Sequence, residues 1–164
     1  MADHLRDELG KMLDQYDQRR RAAEDRERQV KADDERFLTR FAELRRSVVR
    51  PVFEAAGEVL KARGHGFSIV EQEFATGTGG QPTEAGITFI VIPSGTTPPM
   101  HADDHARSLS ITTRHYNKSV WINSGEAKDA GGRAGAKGAH QLEKIDRQLV
   151  EEELLKFVAG VVAA

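Results

Sequence analysis

The sequence contains no cysteine, and this absence excludes disulfide bonds, thiolate zinc sites and cysteine nucleophiles. No apolar run approaches the length of about 18 residues that a membrane-spanning helix needs, so no span and no membrane partner are predicted. The first residues lack a basic segment followed by an apolar one, so we expect no signal peptide. Together these absences favour a cytoplasmic protein.

Glycine and proline are absent from residues 11–50, so nothing local interrupts a helix there. Residues 17–36 carry fourteen charges in twenty positions. A helix over residues 3–63 would be about 90 Å long, whereas the remaining residues would form a globule with a radius of gyration of about 13 Å. We therefore predict a protruding, coiled-coil-like helical extension over residues 1–35 and a small α+β domain over residues 36–164.

The start of this helix has the apolar rhythm of a coiled coil. Leu5, Leu9, Met12 and Tyr16 follow one another at spacings of 4, 3 and 4 residues. Continuing the register places charged side chains at three of the next six seam positions, so the middle of the seam is poor. Pairs such as Glu24–Arg28 could instead support a solvated single helix. The four apolar residues predict a homodimer, or contact with another protein, through this part of the helix.

A broader apolar stripe begins at Phe37 and suits packing against a sheet. The apolar spacing continues across Pro51, although a proline in a helix interior costs about 3 kcal/mol. We expect either a kink near Val48 or a new helix with Pro51 in its first turn. Gly64 and Gly66 are predicted to end the helix.

Four strands are predicted after the helix, because residues 67–74, 87–92, 108–115 and 119–123 are apolar or alternate in polarity. The simplest arrangement is a four-stranded antiparallel meander. A C-terminal helix over about residues 139–162 completes an α+β fold with the order α-β-β-β-β-α. The segments 75–86, 93–107 and 125–138 are predicted to be long loops.

The last two predicted strands form a hairpin whose two faces differ. A two-residue turn at Asn117 and Lys118 would place Arg114 opposite Trp121. One face is apolar, whereas the other carries Arg114, Tyr116 and Trp121. An exposed cation–π pair explains this pattern, but the same residue types often dominate protein interfaces, so these three are predicted partner-binding residues.

The loop over residues 93–107 contains three candidate metal ligands, His101, Asp103 and His105. Histidine and aspartate side chains are credible ligands for zinc or another divalent ion. Their spacing matches no known metal motif, so a solvated polar loop is the competing interpretation.

The loop over residues 125–138 is rich in glycine and contains the cations Arg133 and Lys137. Glycines let backbone N–H groups approach an anion, and a helix beginning after the loop would add partial positive charge. The glycine spacing is not that of a P-loop, so a flexible linker competes with anion binding. Alternation along the meander places this loop and the loop over residues 93–107 at the same end of the sheet.

The charge balance does not favour nucleic-acid binding, because residues 1–63 hold 15 basic and 14 acidic side chains. Neither a catalytic signature nor a cofactor motif is evident. The leading hypothesis is a non-enzymatic interaction, adaptor or assembly protein that forms a homo-oligomer through its N-terminal helix. The first alternative is a metal- or anion-dependent enzyme with a site at the 93–107/125–138 end of the sheet. The second alternative is a nucleic-acid-associated protein that uses Arg19–Arg21, Arg45–Arg46 and Arg50.

Overall fold

The computed structural model describes residues 2–77, 82–95, 107–125 and 135–162, and it has the α+β architecture predicted from the sequence. Two α-helices joined by a π-helical turn come first, a five-stranded sheet follows, and a helix ends the described chain. The elements are α1 (Ala2–Leu44), a π-helical turn (Arg45–Val49), α2 (Arg50–Ala62), β1 (Gly66–Gln72), β2 (Gly86–Ile92), β3 (Ser108–Arg114), β4 (Ser119–Gly125), β5 (Gly135–Gln141), a 3-10 turn (Leu142–Lys144) and α3 (Arg147–Val162).

The regular α-helix is interrupted just before Pro51, where the sequence predicts a kink or a new helix. The π-helical turn spans Arg45–Val49, and α2 begins at Arg50 with Pro51 in its first turn. A proline ring would clash with the carbonyl four residues earlier in a regular α-helix, and its nitrogen has no hydrogen to donate. The wider turn therefore lies where a regular α-helix would be strained. Gly64 then ends α2 with a positive φ of 88°.

The five strands form one antiparallel meander in the order β1-β2-β3-β4-β5. Residues that pair across strands share a face, so Ile69, Phe89 and Leu109 lie on one side of the sheet. Phe53 of α2 packs against Phe89 with ring centroids 5.3 Å apart, which identifies this side as the face that the helices cover. The opposite face carries the alternate residues, including Thr112, Arg114, Trp121 and Asn123.

The hydrophobic core lies between the helices and this covered face. Phe41, Phe53, Phe89 and Phe157 are fully buried and join the aliphatic residues of β2, β3 and β4. The chain divides into two compact units between Arg36 and Phe37, and this core belongs entirely to the second unit.

The prediction of four strands was wrong by one, because Gly135–Gln141 forms a fifth strand at the edge of the sheet. This segment was predicted to be the end of a loop and the start of the C-terminal helix. Its small residues have little intrinsic strand preference, and the strand forms through pairing with β4. The C-terminal helix begins instead at Arg147, where the Asp146 side chain accepts a hydrogen bond of 2.8 Å from the Leu149 amide.

The β3–β4 pairing also differs from the prediction. The turn contains four residues, His115 to Lys118, so Arg114 pairs with Ser119 and Thr112 pairs with Trp121. Lys118 has a positive φ of 54°, and its amide bonds to the carbonyl of His115. The shift is two positions, and therefore the predicted division of side chains between the two faces is retained.

Candidate interaction surfaces

The first candidate surface is the apolar stripe on the N-terminal helix, formed by Leu5, Leu9, Met12, Leu13 and Tyr16. These five side chains are between 47% and 61% exposed. At about 100° of rotation per residue they lie within an arc of about 100°. The predicted 4-3-4 spacing did not include Leu13, although Leu13 lies four residues after Leu9 and therefore on the same side of the helix.

The charged part of this helix is supported by ion pairs between its own residues. Glu24 contacts Arg20 at 3.9 Å and Arg28 at 4.0 Å, and Gln29 donates a 3.0 Å hydrogen bond to Asp33. All of these contacts span four residues, the spacing that brings side chains together on a helix surface. They are exposed, so each contributes little to stability.

The second candidate surface is a cleft of about 650 Å³ at the end of the sheet that carries the β3–β4 turn. The strands bring three short segments together there: the residues before β2, the end of β3 with its turn, and the start of β4. The cleft residues are Pro82, Glu84, Thr112, Thr113, Arg114, His115, Tyr116, Trp121 and Asn123. All three residues predicted to bind a partner from the sheet, Arg114, Tyr116 and Trp121, line it.

Glu84 anchors the inner side of the cleft. Its carboxylate accepts hydrogen bonds of 3.2 Å from the His115 amide and from the Thr113 hydroxyl, and it also contacts Nδ1 of His115. The His115 ring lies between Phe74 and Tyr116 in edge-on contacts with centroid separations of 4.9 and 5.9 Å. This arrangement fastens the β3–β4 turn to the segment before β2, so the His115 side chain has a structural role in the turn.

Arg114 and Trp121 form the outer side of the cleft. The guanidinium carbon of Arg114 lies 4.5 Å from the centroid of the indole, and its Nη1 donates to the Tyr116 hydroxyl at 3.1 Å. The Trp121 Nε1 donates to the Ser119 hydroxyl at 3.1 Å. The predicted cation–π pair is therefore present, but it is diagonal across the strands rather than directly opposite.

Sequence reasoning missed Glu84, which lies in a segment predicted to be a loop. One signal was available in β3, where Leu109, Ile111 and Thr113 alternate on the covered face. Thr113 is fully buried, and a buried hydroxyl requires a hydrogen-bond partner. That requirement predicts a partner for Thr113, but local sequence does not reveal that Glu84 and the Ala85 carbonyl provide it.

Arg45, one of the cations considered for nucleic-acid binding, is buried and engaged. It donates to the Gln72 carbonyl at 3.1 Å and to the Gly86 carbonyl at 3.4 Å, and it pairs with Glu73 at 2.5 Å. Nearby, hydrogen bonds to Glu54 and Glu71 raise the pKa of Arg50 above its ordinary value. Both guanidinium groups are therefore already paired with carboxylates.

The other sequence-predicted site residues are not brought together in the described part of the chain. His101, Asp103, His105 and Arg133 lie outside the described residues. Lys137 belongs to strand β5. The predicted anion site depended on a helix that begins directly after the glycine-rich loop, but that helix begins at Arg147. Among the described residues, no group of three or more His, Asp or Glu side chains could hold a metal ion.

Within the described ranges, no helix is both long enough and apolar enough to cross a membrane. Comparison of the chain with known protein families, with curated proteins and with solved structures finds no match.

Proposed function

We propose that the chain is a non-enzymatic interaction or assembly protein that self-associates through the stripe of its N-terminal helix. The observation that carries the proposal is the exposure of Leu5, Leu9, Met12, Leu13 and Tyr16 on one side of α1. Single exposed apolar residues are common, whereas a contiguous apolar patch is typical of an interaction site.

Pairing of two copies of α1 would remove this stripe from water. Burying apolar surface contributes about 25 cal/mol per Å², and leucine, methionine and tyrosine side chains are suited to the seam between helices. The charged residues that follow would remain in water and limit the seam to the tip of the helix. We expect a homodimer in the cytoplasm, in which the sheet of each copy remains available for a further partner.

The test is a molar-mass measurement of the full chain over a wide concentration range, by sedimentation equilibrium. The decisive variant carries Leu5→Gln, Leu9→Gln, Met12→Gln and Leu13→Gln, because glutamine matches leucine and methionine closely in helix propensity. The parent protein should approach twice its monomer mass, and the variant should remain monomeric at every concentration.

Leu155→Gln is the matched control, because Leu155 of α3 is also an exposed leucine on a helix, with 70% of its surface accessible. This change should leave the association constant unaltered. A parent protein that stays monomeric at the highest concentration would refute self-association. Equal weakening by the control would show that the contact is not specific to the stripe.

A further inference from the structure

The described residues that line the cleft include one carboxylate, that of Glu84, and one guanidinium, that of Arg114, and the surroundings of these two groups differ. The carboxylate of Glu84 accepts hydrogen bonds from the His115 amide and the Thr113 hydroxyl, and it also contacts Nδ1 of the His115 ring. A carboxylate that accepts several hydrogen bonds has its charge satisfied locally. The Glu84 carboxylate is therefore stabilised without Arg114, and no ion pair joins these two residues in the described structure.

Arg114 is the charged group of the cleft that has unused hydrogen-bond donors. Its described partners are the neutral hydroxyl of Tyr116 and the face of Trp121, and no described carboxylate lies within ion-pair distance of it. A guanidinium has five N–H donors, and the Tyr116 contact uses one of them. Because the remaining donors are not paired with a described carboxylate, an anionic group could bind without first displacing an acidic side chain. The guanidinium is also already half-buried.

The position of Arg114 is also fixed before any ligand arrives. The guanidinium lies over the Trp121 ring, and the Tyr116 hydroxyl accepts a hydrogen bond from one of its ends. Trp121 is in turn held by Ser119, whose hydroxyl donates to the Asn117 side chain at 2.6 Å. Such preorganisation reduces the entropy lost on binding, and a planar fork of donors matches the oxygens of a carboxylate or phosphate.

We propose that this cleft binds the oxyanion group of a small molecule, a carboxylate or a phosphate, with Arg114 as the cation that contacts it. Thr112 and Asn123 line the same cleft and offer neutral hydrogen-bonding groups for the rest of the ligand. A volume of about 650 Å³ falls within the range of small-molecule sites. This inference is independent of self-association through α1.

Trp121 gives a direct readout, because it is the only tryptophan in the chain and it contacts Arg114. The full-length protein is titrated with sodium phosphate, with sodium succinate and with sodium chloride at matched ionic strength. We expect a saturable change in tryptophan fluorescence with phosphate or succinate but not with chloride. Saturation by one of the two identifies the preferred oxyanion, whereas saturation by neither overturns the proposal.

Variants at Arg114 test whether this residue is the contact. Arg114→Gln should weaken binding at least tenfold, and Lys61→Gln, which removes an exposed cation from α2, should leave it unchanged. Calorimetry gives the affinity of each variant without relying on the indole. Binding that survives Arg114→Gln overturns the proposal.

If Arg114→Gln does not fold, Arg114→Lys provides the second test, because it keeps the charge but removes the planar fork. We expect affinity for the same oxyanion to fall severalfold in this variant. An affinity equal to that of the parent would overturn the assignment of the guanidinium as the contact.

Discussion

Gly57 allows α2 and β1 to lie close together. A Cβ atom at this position would lie 2.3 Å from the Phe67 ring, which itself stacks on Phe89 with a centroid separation of 5.9 Å. Gly57→Ala should therefore lower the free energy of unfolding by about 1–3 kcal/mol, because overpacking outweighs the helix preference of alanine. Urea denaturation monitored by Trp121 fluorescence measures this loss.

Gly10→Ala is the matched control, since a Cβ at Gly10 of α1 meets no atom within 4 Å. The same substitution there should not lower the urea midpoint, and the helical circular-dichroism signal should rise slightly because alanine favours a helix. An unchanged midpoint in Gly57→Ala would mean that the Phe67 ring moves aside without cost, contrary to its stacked position.

At the scale of elements, Arg45 connects the π-helical turn to the sheet through the carbonyls of Gln72 and Gly86. Glu73 is largely exposed, so solvent screens its pair with Arg45, and the two carbonyl bonds matter more. Arg45→Met should destabilise the protein by about 2 kcal/mol, because the buried Gly86 carbonyl and the partly buried Gln72 carbonyl both lose their donor. The free energy of unfolding in urea tests this expectation.

Arg46 provides the control at the adjacent position, because its side chain is 76% exposed and pairs only with Glu43 in the described structure. Arg46→Met should change the free energy of unfolding by less than about 0.5 kcal/mol. Equal effects of the two substitutions would indicate a general response to lost charge, and the connection through Arg45 would then be unimportant.

Elements with strong internal patterns could be predicted from the sequence, whereas elements defined by pairing could not. The alternation of β3 and β4 and the apolar run of β2 give their positions to within about two residues. β5 has neither pattern, since its glycines and alanines become a strand only beside β4. In the cleft, Arg114, Tyr116 and Trp121 were predicted from one hairpin, but Glu84 is distant in sequence and local signals do not identify it.

At the scale of the whole molecule, stability is concentrated in the second unit. The described residues of the first unit contribute none of the core side chains, which begin at Phe37. Their helix depends on pairs such as Glu8–Lys11 at 3.7 Å and Asp33–Arg36 at 3.9 Å. Each such pair contributes about 0.2–0.5 kcal/mol, and an isolated helix is only marginally stable in water. The two units should therefore unfold separately when the chain is monomeric.

This separation predicts that two probes of urea denaturation disagree at low protein concentration. Helical circular dichroism should decrease at lower urea than Trp121 fluorescence, because Trp121 reports the sheet of the second unit, whereas residues 2–36 supply a large share of the helical signal. Association stabilises the associating segment by mass action, so the two curves should converge as concentration rises if copies pair through the stripe. Coincident curves at every concentration would instead show that the units unfold as one. If the separation between the two curves did not change with protein concentration, the N-terminal helix would not take part in self-association.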